Sequence, residues 1–207
     1  MGAWVFAMAV AFGGLTFYQL LPGVIARDIE PEALCELAAV DQPPLPIKPL
    51  ATHRLVVFAH PHCPCTNSTI AELSKLMTLC TGRLDASVYF YRPSELEAAW
   101  AHTTLWAAAE AIEGVTVAED LDGHLARRCD ASTSGQVLLV DRQGQLLFSG
   151  GITSVRGHHG DNDGSAAVIA HVLHGTGPTE SPVFGCAMFS TDSQPDTFTR
   201  TQQEFFQ

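Results

Sequence analysis

Six residues, His60-Pro61-His62-Cys63-Pro64-Cys65, stand between two segments of different periodicity. Before them, Leu55-Val56-Val57-Phe58-Ala59 is a short continuous apolar run, the pattern of a buried strand. After them, Ile70, Leu73, Leu76/Met77 and Cys80 recur at helical spacing, which predicts an amphipathic helix over Pro64–Cys80. Two thiols therefore lie at a strand-to-helix turn. Pro64 suits the first helical position, where its missing N–H costs nothing and its φ is already helical. Cys63 then falls at or near the N-cap, facing unpaired N–H groups and the positive end of the helix dipole. An anion is favoured there, so the placement lowers a thiol pKa and strengthens the nucleophile.

The rest of the chain supplies matching elements. Ala86–Tyr91 reads as a second strand, and Ser94–Ile112 as an alanine-rich helix with Leu96, Trp100, Leu105 and Trp106. Val115-Thr116-Val117 reads as a short strand and Leu121–Cys129 as a helix. Gln136–Val140 and Gln145–Ser149 are strands joined by the turn residues Asp141-Arg142-Gln143-Gly144. A glycine-rich loop, 150–164, leads to a last helix over Ser165–His174. The order βαβ, then ββα, predicts an α/β domain with a mixed sheet flanked by helices. It occupies residues 51–190, and a polar tail follows over 191–207.

Residues 1–26 have another character. No charged side chain occurs from Gly2 to Ala26, and the segment is rich in Trp, Phe, Val and Leu. A bilayer-spanning helix needs about 20 such residues. A signal peptide usually has a shorter apolar core, of roughly 7–15 residues, and a small-residue cleavage site that is missing here. The expectation is an uncleaved single-pass transmembrane anchor in the inner membrane. A connector follows over 27–50, with a short helix over Pro31–Val40 and the extended spacer Pro43-Pro44-Leu45-Pro46-Ile47-Lys48-Pro49. No Lys or Arg precedes the apolar segment, so charge does not orient it. The thiol pair places the main domain on the extracytoplasmic side, in the periplasm. A net charge of −11 excludes a basic nucleic-acid footprint.

With Cys-x-Cys at the first strand–helix junction, this order of elements resembles the thioredoxin fold. Cys63-Pro64-Cys65, the loop from Gly150 to Asn162 and Pro182-Val183-Phe184-Gly185-Cys186 together resemble the membrane-anchored thioredoxin-like proteins called RedB. The resemblance covers the chain from the anchor to about Cys186 and implies redox activity. The chain departs from ordinary thioredoxins in two places. Its motif is one residue short of Cys-x-x-Cys. Thr133-Ser134-Gly135 stands where thioredoxins carry threonine and a cis-proline facing the thiols.

The function expected is a membrane-anchored thiol–disulfide oxidoreductase acting on protein thiols and disulfides, with no organic cofactor. Cys63 attacks, and Cys65 or Cys186 resolves the mixed disulfide. A small Cys63–Cys65 ring departs from preferred geometry and is easily reduced. His60, His62, Arg156 and His158 are candidates for stabilising the thiolate. The alternative is a copper-binding or copper-delivery protein using the same cysteines with histidine, because thiolate and imidazole suit copper(I). Copper-delivery proteins of thioredoxin-like fold use Cys-x-x-x-Cys, which is absent. A peroxidase threonine-x-x-cysteine pattern fails because position 60 is His60. Cys35, Cys80 and Cys129 read as packing residues; Cys80 lies on the apolar stripe of its helix.

Overall fold

The computed structural model describes residues 2–38, 51–158 and 160–189. The spacer 43–49 and the tail 191–207 lie outside these residues.

Five strands form one sheet: β1 (His53–Ala59), β2 (Leu84–Arg92), β3 (Val115–Leu121), β4 (Gln136–Asp141) and β5 (Leu146–Gly151). Their order is β3-β2-β1-β4-β5. β1, β2 and β3 run parallel, while β4 runs antiparallel to β1, and β5 to β4. This is the mixed sheet expected from the order of elements. β1 is central, which is why its sequence is apolar without alternation: Leu55 and Val57 face one core, and Val56 and Phe58 the other. The first core takes Ile70, Leu73 and Leu76 from α3 (Thr66–Leu79), Ala109 from α4 (Thr104–Glu110), and Val168 and Val172 from α6 (Asp163–His174). The second takes Ala33 from α2 (Pro31–Ala38), Leu125 and Ala126 from α5 (His124–Arg128), and Met188. Cys80 and Cys129 are buried in these cores, as their packing role requires.

Four local expectations change. α3 starts at Thr66, with Cys65 at the N-cap and Cys63 two residues earlier, in a turn closed by Cys63 N–H donating to the His60 carbonyl (3.1 Å). The long helix over Ser94–Ile112 is instead a loop, a single 3₁₀ turn at Ala98–Trp100, and α4. Its first half is drawn off the helix path by other partners. Arg92 donates to the Leu96 carbonyl, the Ser94 N–H reaches Asp122, and Thr103 caps α4 by accepting from the Leu105 N–H. The short strand at Val115–Val117 continues to Leu121, and the helix expected over Leu121–Cys129 shrinks to α5. Asp120, buried at the end of β3, caps α5 by accepting from the Leu125 and Ala126 N–H groups.

The fourth change concerns the N-terminus. Helix α1 (Gly2–Leu20) ends before Pro22, and among the described residues no helix is long and apolar enough to cross a membrane. The span expected over Gly2–Ala26 is corrected accordingly. Glycines and polar residues (Gly13, Gly14, Thr16, Gln19) dilute the helix, and Leu21–Ala26 is drawn onto the domain. Gly23 N–H donates to the Val183 carbonyl (2.7 Å), Val24 exchanges two hydrogen bonds with the Thr133 hydroxyl, and Ala26 N–H donates to Gln136. The start of the connector is docked too, through Arg27 and Asp28 N–H groups on Asp130 and a Glu30–Arg128 ion pair.

Candidate active site

The thiols gather where β1 ends, α3 begins and the segment before β4 crosses them. Thr66 and Ser134 tie these three pieces together. Ser134 Oγ accepts from the His60 N–H (2.9 Å) and lies 3.0 Å from Thr66 Oγ1, which reaches the His60 carbonyl. All peptide bonds described are trans, so Thr133-Ser134-Gly135 faces the thiols without a cis-proline.

The C-terminal segment completes the cluster. Gly150 and Gly151 admit it: a Cβ on either would collide with the backbone of Ser181 or Pro182. Ser149 N–H donates to the Thr179 carbonyl (2.9 Å), and Ser181 Oγ donates to the Gly151 carbonyl. From there the chain carries Cys186 over the turn. Cys186 Sγ lies 2.9 Å from Cys63 Sγ, and the Cys186 N–H points at the same sulfur (3.3 Å). Cys63 is 1% exposed, while Cys65 and Cys186 are half-buried.

The three sulfurs share charge unequally. Cys63 is held far below the ordinary thiol range, chiefly by the hydrogen bond from the Cys186 thiol, then by that from Cys65; with backbone N–H groups they outweigh burial. Cys186 is pushed far up, first by its bond to Cys63, then by its bond to Cys65 and by burial. Cys65 is raised as well. Its largest single interaction, with Cys186, lowers it, but the bond to Cys63, burial and the charge on Cys63 together prevail. The directions favour the charge on Cys63 over Cys65 and Cys186.

The other candidate residues are placed as follows. Arg156 donates to the Gly185 and Leu21 carbonyls and stacks over the Tyr18 ring (4.7 Å), linking α1, the thiols and the Cys186 segment. His60 and His62 belong to an aromatic group: His62 packs on Trp100 (4.7 Å between centroids), and His60 on Trp100 and Tyr91 (5.5 and 5.9 Å). The leading contributions that lower Cys63 come from Cys186 and Cys65 rather than from an imidazole. His158 closes its own loop, its N–H donating to the Val155 carbonyl. Among the described residues no group of three or more His, Cys, Asp or Glu side chains is arranged to hold a metal ion. The copper reading gains no support, since the His60 and His62 rings pack on Trp100 and Tyr91. Sequence reasoning missed Thr66, Trp100 and Ser134 as shaping residues; only the Ser-Gly step before β4 marked one of them.

No family model matches the chain, and no curated protein matches it either. Solved structures do resemble it. An uncharacterised conserved protein from Geobacillus kaustophilus aligns at 15% identity and TM-score 0.57, covering 84% of this chain and 95% of the other. A hypothetical protein from Sinorhizobium meliloti aligns at 21% identity and TM-score 0.56, covering 83% and 96%. A secreted Mycobacterium tuberculosis disulfide oxidoreductase, described as homologous to Escherichia coli DsbE, aligns at 13% identity and TM-score 0.40, over 59% of this chain and 82% of that one. The class defined is an α/β fold, a five-stranded mixed sheet with flanking helices.

Proposed function

We propose that this protein is a thiol–disulfide oxidoreductase acting on protein substrates, with Cys63 as the attacking thiolate. The observation that carries the reading is the meeting of Cys63 with Cys186, 2.9 Å away and 123 residues along the chain, beside a helix start. The Cys63 thiolate attacks one sulfur of a substrate disulfide. A Cys63–substrate bond forms, the substrate S–S bond breaks, and the first substrate sulfur leaves as a thiolate that takes a proton from solvent. Cys186 gives up its proton and attacks Cys63. The Cys63–Cys186 disulfide forms and the second substrate sulfur leaves reduced. Two electrons pass from the cysteine pair to the substrate; the reverse sequence oxidises a dithiol. Either Cys186 or Cys65 was expected to perform the release, and the short approach of Cys186 favours Cys186. Cys65, at the N-cap of α3, then helps to hold the Cys63 thiolate, whose pKa it lowers.

Equilibrating the full chain with a glutathione series tests this reading. A single two-electron couple, with Cys63 and Cys186 joined in the oxidised peptide map, is expected. Absence of any dithiol–disulfide couple overturns it.

We further propose that the domain lies on the extracytoplasmic side of the inner membrane, with the apolar surface of α1 resting against the membrane rather than crossing it. That helix leaves Trp4, Phe6, Phe12, Leu15 and Phe17 all more than 60% exposed, an apolar surface that calls for a cover. Disulfides also persist in such compartments. A C-terminal reporter active only in the periplasm should be active in membrane fractions; activity confined to the cytosol overturns the placement.

A further inference from the structure

The segment that brings Cys186 to Cys63 is held by its main chain. Ser134 N–H donates to the Cys186 carbonyl (2.8 Å), Met188 N–H donates to the Ser132 carbonyl (2.8 Å), and Thr133 and Ala187 form an antiparallel bridge. Residues 132–134 are therefore a strand edge running beside the attacking sulfur, and residues 185–188 are the strand added to it. Main-chain pairing of this kind accepts any extended peptide of fitting side chains. Two side-chain constraints are visible. Gly185 lies so close to the Ser134 carbonyl that a Cβ there would overlap the oxygen. Met188, two residues after the cysteine, is 1% exposed in the second core, and Phe189 packs edge-to-face with Tyr91 (5.6 Å) beneath the Arg127 guanidinium (3.8 Å). With this segment seated, Cys63 is almost wholly covered, so no outside sulfur reaches it.

We propose that residues 185–188 are a built-in occupant of the substrate edge. The partner that displaces them is an extended protein segment whose reactive cysteine follows a glycine and precedes, by two positions, an apolar residue. This rests on the redox reading above. Residues 179–181 are anchored on β5 and Val183 is held by the Gly23 N–H, so the strand past Val183 can lift while its root holds. The substrate cysteine then takes the place of Cys186 at Cys63, and its glycine takes the place of Gly185. Once the mixed disulfide has formed, the returning segment brings Cys186 back to attack Cys63 and displaces the product from the same edge.

The test uses the full-length chain carrying Cys186→Ser, which keeps the segment's shape without an internal disulfide. The probe is the peptide Pro-Val-Phe-Gly-Cys-Ala-Met-Phe as its thionitrobenzoate disulfide, alongside the same peptide with alanine in place of glycine. The glycine peptide should form the mixed disulfide with Cys63 faster by about tenfold or more, the scale of overpacking one methyl against backbone. Adding Gly185→Ala to the chain should unseat the internal strand and speed reaction with the glycine peptide by a similar factor. Equal rates for the two peptides overturn the proposal, and that comparison stands even if the Gly185→Ala chain does not fold. Equal rates with a reactive Cys63 leave the redox reading intact. No reaction of Cys63 with either peptide or with a small aromatic disulfide sinks the redox reading itself.

Discussion

Replacing Cys63 with serine should reduce capture of a protein disulfide to background, a loss of about 1,000-fold or more, as when a covalent nucleophile is removed. The three cysteines are not interchangeable. Cys63 is held far below the ordinary thiol range, while Cys65 and Cys186 are raised, and Cys186 is the thiol 2.9 Å from Cys63. Cys186→Ser should still attack but accumulate the mixed disulfide, because the thiol 2.9 Å from Cys63 is gone. Cys65→Ser should attack and release, with slower attack through a less well-held thiolate. Trapped complexes counted by non-reducing electrophoresis and peptide mapping distinguish the three. A Cys63→Ser chain that still traps substrate through Cys65 would reverse the assigned roles. Continued rapid release by Cys186→Ser would return the resolving role to Cys65.

The reduced protein should keep its Cys63 thiolate well below pH 8.5, the ordinary midpoint of a cysteine. The sign follows from the direction of the shift. Hydrogen bonds donated to the Cys63 sulfur, first from Cys186 and then from Cys65, stabilise its charged form and lower its pKa against the opposing effect of burial. As pH falls from 8 to 6, an ordinary thiolate population shrinks about tenfold per unit, whereas that of Cys63 should stay nearly flat. Cys186 moves the other way and holds its proton over the same interval. Thiolate ultraviolet absorbance reads this without requiring a reagent to reach a sulfur that is 1% exposed. Cys186→Ala removes the largest contribution and should move the midpoint of Cys63 upward, so that thiolate absorbance is lost at a higher pH on acid titration. An unchanged midpoint would show that the helix start, and not the remote thiol, sets the charge.

Much of the architecture was legible residue by residue. The apolar run of β1, the helical stripe of α3, the Asp141–Gly144 turn and the hairpin it closes are local patterns, and the fold contains each of them. The turn at Asp141 is even satisfied as its residue type demands, with the carboxylate accepting from the Gln143 and Gln145 N–H groups. Legibility failed where distant partners outbid local preference. Leu96, Trp100, Leu105 and Trp106 suggest one helix, yet Arg92, Asp122 and Pro61 claim the backbone and side chains between them. The apolar N-terminus suggests one long helix through Ala26, yet Thr133, Gln136 and Val183 recruit its end.

From composition and spacing alone came the presence of a thiol pair before a helix, because a strand, a turn and a helix in succession are each encoded within a few residues. Only the folded chain decided which sulfur faces it, and that the site is covered. Cys186 reaches Cys63 through backbone pairing between residues 132–134 and 185–188, and main-chain hydrogen bonds between remote segments leave no periodic mark in either. A glycine that must lie against a carbonyl is visible as a glycine, but the carbonyl it lies against is chosen by the path of the whole sheet.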